Sequence, residues 1–138
     1  MDILLSIRPN YAELILSGEK KFEFRRRIFK NSDIETVYLY SNSEVRKITG
    51  GFEVGEIHAG TPHDLWKRCS AQGGVDKEFF FQYFVNCDLG YAIEIADVKF
   101  VTPHLDPYEE FDAFTPPQSF YYLSEKQSTY ISSRLLQT

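Results

Sequence analysis

Pro9 and Gly18 bracket a segment in which Tyr11, Ala12, Ile15 and Leu16 recur at helical spacing. Proline suits the first helical position and glycine the residue just past the last, so a helix over 9–17 with fixed ends is expected. The residues before it, Ile3-Leu4-Leu5-Ser6-Ile7, form a short apolar run that reads as a buried strand. The residues after it, 20–27, alternate: Phe22 and Phe24 point one way, and Glu23, Arg25 and Arg27 the other. That pattern is a half-buried strand with a charged face. The order sets Lys20 just past a helix end and just before that strand.

The remaining chain continues the mixture. Residues 36–41 are rich in strand formers, and Asn42-Ser43-Glu44 reads as a loop. A strand over 46–58 contains Gly50-Gly51, a pair that marks a bulge or a close backbone approach. Thr61, Pro62 and Asp64 have the order of a helix start, giving a helix over 62–70. Gly73-Gly74 breaks the chain, and Asp76 can cap a helix over 77–85. Phe79, Phe80, Phe81, Tyr83 and Phe84 cover more than one face of that helix and read as a plug for the core, with an exposed binding patch as the other reading. A long strand over 90–101, a Pro-rich acidic loop over 102–117 and a last strand over 118–123 complete the pattern. Strands and helices interleave too unevenly for regular βαβ units. The expected fold class is α+β, a small mixed β-barrel with flanking helices. Residues 1–123 are expected to form the domain. Residues 124–138 read as a C-terminal tail with Tyr130, Ile131, Leu135 and Leu136 at roughly helical spacing, its packing left open.

At 138 residues the chain is sized for one domain, and its 43% hydrophobic and 25% charged residues are globular values. No apolar run approaches a membrane span, and the N-terminal stretch has neither a basic region nor a cleavage site, so a cytoplasmic protein is expected. Charge is uneven. Residues 1–30 hold seven Lys/Arg against four Asp/Glu, a net of +3, while residues 31–138 hold eight against sixteen, a net of −8. Attraction to phosphate follows local cations, so a net acidic chain is a poor generic nucleic-acid binder and binding would have to use one focused patch. Lys20, Lys21, Arg25, Arg26, Arg27 and Lys30 supply one. Cys69 and Cys87 are too few for a disulfide scaffold and read as reduced thiols. His58, His63 and Cys69 have no compact ligand spacing, so neither metal nor cofactor is expected. Phosphate loop, nucleophile elbow, His-Glu-x-x-His and Cys-x-x-Cys are all missing from the sequence.

The chemistry concentrates after the first helix. A Lys there can grip phosphate as a point charge or, once desolvated, act as a base or polarise a carbonyl. Glu23 and Arg25 share a strand face, pair, and leave Arg25 able to fork onto a base edge or phosphate. The plainer alternative is a solvated charged face. Tyr40, Phe52, Trp66 and Tyr121 are candidates for base stacking, worth about 1–3 kcal/mol per base, with simple packing as the other reading. Ser41, Ser43 and Ser119 have no visible His partner, which argues against a Ser triad.

Gly18, Lys20, Glu23 and Arg25, in the order Gly-x-Lys-x-x-Glu-x-Arg after a strand and a Pro-opened helix, resemble the ASCH domain, a member of the PUA-like superfamily. Further stretches fit in order: Leu5-Ser6-Ile7-Arg8-Pro9 with Tyr11-Ala12, Tyr40-Ser41, Gly51-Phe52-Glu53-Val54, Gly90-Tyr91-Ala92-Ile93 and Pro116-Pro117-Gln118-Ser119-Phe120. The resemblance covers about residues 3–123. It implies a small β-barrel with a cleft beside the first helix that binds RNA or a nucleotide, in proteins proposed to regulate transcription or translation. One branch hydrolyses the amide of N4-acetylcytidine, and another is ribonuclease-like. The amidohydrolase branch carries a Thr where this chain has Glu23; a Glu can activate water but cannot replace an alcohol nucleophile. The expectation is RNA or a modified nucleotide held by Lys20, Glu23 and Arg25, with Ser41, Asn42 and Gln118 as further contacts. A metal-independent hydrolase working through Lys20 and Glu23 is the alternative. A third reading is an interaction module whose acidic surface meets a protein partner.

Overall fold

Strand β1 (Ile3–Ile7) lies one strand in from the edge of the sheet, parallel to β3 (Thr36–Ser41), with Ile3 opposite Val37 and Ile7 opposite Ser41. The computed structural model describes residues 1–136; Gln137 and Thr138, the last two residues of the expected tail, lie outside them. β3 pairs antiparallel with β4 (Lys47–Gly60), β4 with β5 (Gly90–Leu105), β5 with β2 (Phe22–Arg25), and β1 with β6 (Phe120–Tyr122). The sheet order β2-β5-β4-β3-β1-β6 makes one mixed six-stranded sheet that curls into a half-barrel. The expected α+β barrel with flanking helices is therefore the observed class.

Both faces of the sheet are covered, which is why β1 is apolar at nearly every position. Ile3, Leu5 and Ile7 pack inward with Val37, Leu39, Phe52 and Ile93 under helix α1 (Pro9–Leu16). Leu4 points the other way, into a second cluster with Tyr38, Tyr40, Ile48 and Leu105. That cluster receives Ile131 from α5 (Glu125–Ser132), so the tail packs: Ile131 is fully buried, and Leu135 bridges to Val101. A Ser124–Gln127 capping box starts α5. A third cluster joins α2 (Pro62–Cys69) and α3 (Lys77–Tyr83) to the β2–β5 end, with Phe24, Leu65, Cys69, Phe80 and Phe84 at its centre. Among the described residues no helix is long and apolar enough to cross a membrane.

Several boundaries shift for visible reasons. β2 keeps only four residues of the expected 20–27. Before it, Lys20 N–H donates to Leu14 O at 2.9 Å and Lys21 N–H to Gln72 O at 2.7 Å; after it, Arg26 N–H donates to the Tyr83 hydroxyl at 3.2 Å. Those donors are spent on α1, on the 3-10 turn Ser70–Gln72 and on α3, outside the ladder. β5 runs four residues past the expected end, and the loop over 102–117 contains a short helix, α4 (Pro107–Glu110). Gly50 is a close approach, as expected: a side-chain carbon there would collide with Lys99 O.

Candidate functional site

Arg8 sits in extended conformation at the N-cap of α1, Pro9 begins the helix, and Gly18 ends it with a φ of 87°. The chain then turns, places Lys20, and enters β2. Glu23 and Arg25 share one β2 face, as the alternation requires. The face is not open to solvent: Glu23 is 6% exposed and Lys20 only 1%.

Four side chains meet here. Lys20 Nζ donates to Gly73 O at 2.5 Å and stands 3.7 Å from Glu23 Oε1. Arg25 Nη1 donates to Glu23 Oε2 at 3.1 Å, and its Nη2 donates to Ser119 Oγ at 2.6 Å. The ammonium also lies 5.1 Å from the Phe24 ring centre and 5.5 Å from that of Tyr11. Burial lowers the Lys20 pKa, an effect Glu23 opposes. Burial raises the phenol pKa of both Tyr11 and Tyr83.

These groups line a cavity of about 220 Å³ between α1, β2 and α3. Lys20, Glu23 and Arg25 lie on its wall with Asn42, whose Nδ2 reaches Ser6 Oγ at 3.5 Å. The apolar wall is Tyr11, Phe79 and Tyr83, the last two with parallel rings 6.4 Å apart. Arg8 lies over Phe79, its guanidinium 5.4 Å from the ring centre. A cation held deep, two arginines higher up and stackable ring faces suit a planar group attached to a phosphate.

Of the six residues expected to contact a ligand, the structure brings four together. Ser41 is buried against a different cavity, one residue and one strand face away from Asn42. Gln118 is exposed and off the cavity wall, and its neighbour Ser119 makes the contact to Arg25. The four aromatics considered for stacking lie elsewhere. Phe52 and Tyr40 are core residues, Trp66 packs on Phe80 with ring centres 5.0 Å apart, and Tyr121 donates its hydroxyl to Thr115 O. The aromatic side chains on the cavity wall include instead Tyr11, Phe79 and Tyr83. Helical spacing is the available signal: Phe79 and Tyr83 are one turn apart and form a stripe about 100° round the helix from Phe80 and Phe84, which face the core.

His63 packs on Phe81 and Cys69 is buried, so the residues weighed as zinc ligands are dispersed. Glu56, His58 and Glu94 do place ligand atoms within 4.8 Å of one another, but Arg68 Nη1 lies 3.4 Å from His58 Nδ1 and brings a cation to the group. Cys69 and Cys87 are free thiols.

The profile of the ASCH domain matches residues 5–132. A protein of Zymomonas mobilis named ASCH domain-containing ribonuclease is 28% identical over 129 residues, covering 92% of this chain and 87% of that protein. The large ribosomal subunit protein uL22 of Ureaplasma parvum is 20% identical over 121 residues, which is 88% of this chain and 39% of that protein. The crystal structure of ASCH from Zymomonas mobilis superposes with a TM-score of 0.88 at 24% identity, covering 99% of this chain and 96% of that one, a likeness of fold. With the match running from β1 to the end of α5, the chain belongs to the ASCH domain family.

Proposed function

We propose that this protein binds single-stranded RNA, with one nucleotide entering the cavity between α1, β2 and α3. The observation that carries the reading is Lys20. An ammonium at 1% exposure is costly, and here it sits on the wall of an open cavity beside Glu23 and Arg25. A base would lie against the Tyr11, Phe79 and Tyr83 rings, with one flanking phosphate on Arg8 and the other on Arg25. Two phosphate contacts predict weak, salt-sensitive binding, with a log–log salt slope of about −1.4 for a single strand. Fluorescence anisotropy of a labelled RNA at 50 and 200 mM salt tests this. Affinity should fall about sevenfold between the two, and Lys20→Met should weaken binding further. Affinity unchanged by both salt and substitution would overturn the reading. A protein that binds without turnover could act as a regulator of transcription or translation in the cytoplasm.

The second reading is cleavage of the RNA, favoured by the convergence of a carboxylate with two cations and by the name of the Zymomonas mobilis relative. Glu23 would take the proton of a 2′-hydroxyl, the freed oxygen would attack phosphorus, and Lys20 and Arg25 would neutralise the charged intermediate. The 5′-oxygen would leave with a proton from water, giving a 2′,3′-cyclic phosphate and a 5′-hydroxyl. Detection of that cyclic phosphate separates this reading from binding alone.

A further inference from the structure

We propose that a second cavity, against a different face of α1, binds a small uncharged molecule with an apolar body and one amide or hydroxyl group. This cavity, of about 320 Å³, shares no lining residue with the first. Its walls are Ala12 and Leu16 of α1, Val45 and Phe100. Its polar groups include Ser41 and Thr49.

Thr49 carries the argument. It is 6% exposed, and among the described residues its Oγ1 is the one buried side-chain polar atom with no hydrogen-bond partner. The backbone explains how it reaches the cavity. In the ladder with β3, Leu39 pairs with Gly50 and Tyr40 with Ile48, so Thr49 is the extra residue of a bulge. In the ladder with β5, Ile48 pairs with Leu105 and Gly50 with Phe100, so Thr49 has no partner there either, the extra residues (101–104) lying on β5. A bulge re-aims its side chain, and such bulges favour functional sites. A buried hydroxyl without a partner is costly, and a ligand group that hydrogen-bonds to it removes the cost.

The walls set the ligand class. Apolar side chains around a buried hydroxyl favour a neutral molecule with its polar end inward, as in ligand pockets generally. Glu13 is exposed on the same cavity and repels an anion. Phe100, 42% exposed, offers an apolar surface to the outer part of the molecule.

The experiment is a titration of the 15N-labelled protein with benzamide, followed by amide chemical shifts. Saturable shifts are expected at Ala12, Thr49 and Phe100, with benzoate giving none. Thr49→Val keeps the shape and removes the hydroxyl; it should weaken benzamide about fivefold, the size of one hydrogen bond, while leaving the melting temperature at or above wild type. Lys20→Met should not change benzamide affinity, so the outcome is independent of RNA binding in the first cavity. No saturable shift in the wild type, or equal affinity in Thr49→Val, would overturn the proposal; in the first case water alone serves Thr49.

Discussion

Gly74 arches over the stem of Lys20: a side-chain carbon on Gly74 would come 2.9 Å from both Cβ and Cγ of the lysine. Gly74 also has a φ of +67°, where an L side chain is strained. Its neighbour Gly73 supplies the carbonyl that accepts from Lys20 Nζ. The glycine pair thus both makes room for the buried lysine and anchors its end. Gly74→Ala adds backbone strain to a clash and should cost about 1–2 kcal/mol, lowering the melting temperature by several degrees. RNA affinity should fall with it, because Lys20 is displaced. A melting curve that coincides with wild type would mean the stem yields freely.

Lys20 also gives stability a pH dependence of definite sign. Burial holds its folded-state pKa below the ordinary 10.5. At pH values below both, the lysine is charged in folded and unfolded chains alike and the burial penalty is complete. Between the folded-state value and 10.5 the unfolded chain binds more protons, so stability rises with pH. In Lys20→Met this contribution is gone, while Arg25 still partners Glu23. Urea denaturation of both proteins at pH 7 and at pH 10 should show the variant equal or more stable at pH 7 and its advantage smaller at pH 10. An advantage that grows with pH would reverse the assignment.

Arg25 divides its guanidinium between Glu23 and Ser119 and keeps further N–H groups for a ligand. If it contacts one phosphate, Arg25→Ala should weaken RNA binding and reduce the salt slope by about 0.7. Ser119→Ala removes only the anchor, so its salt slope should stay near wild type while affinity falls modestly. Anisotropy over a range of salt concentrations distinguishes the two. An unchanged slope in Arg25→Ala would take that side chain out of phosphate binding.

Legibility in sequence followed how local each signal was. α1 was readable because Pro9 and Gly18 punctuate it chemically, and the cluster Lys20, Glu23, Arg25 was readable because it follows directly. Asn42 and Ser41 differ by one residue, and strand alternation alone could not tell which faces the cavity. Gly73 and Gly74 announce a chain break; that they are a saddle over Lys20 depends on contacts more than fifty residues apart in sequence. Tyr11, Phe79 and Tyr83 were hidden for a related reason. An aromatic on a helix packs equally well into a core or a cavity wall, and only the tertiary arrangement chooses. The packing of α5 has no local signal, because its one fully buried residue, Ile131, belongs to a cluster built from β1, β3, β4 and β5.

Glu23 touches both cations, so its substitution separates holding from catalysis. Glu23→Gln keeps the shape, and the amide oxygen can still accept from Arg25 Nη1. What disappears is the charge opposite Lys20 and the capacity to take a proton. A cavity that cleaves RNA or hydrolyses N4-acetylcytidine through this carboxylate should lose on the order of 10²-fold in rate, with affinity intact and chelator without effect. A cavity that binds should keep measurable affinity, because the donors facing phosphate remain, and the lost charge opposite the buried Lys20 should appear as a lower melting temperature. The second result is expected here: in the structure Glu23 accepts from Arg25 at 3.1 Å and neighbours Lys20, the geometry of a group that positions two cations. Labelled RNA and N4-acetylcytidine incubated with wild type and Glu23→Gln, read by gel and chromatography beside anisotropy, decide it. Turnover in the wild type that vanishes in the variant would make Glu23 a catalytic residue and put the hydrolase reading first.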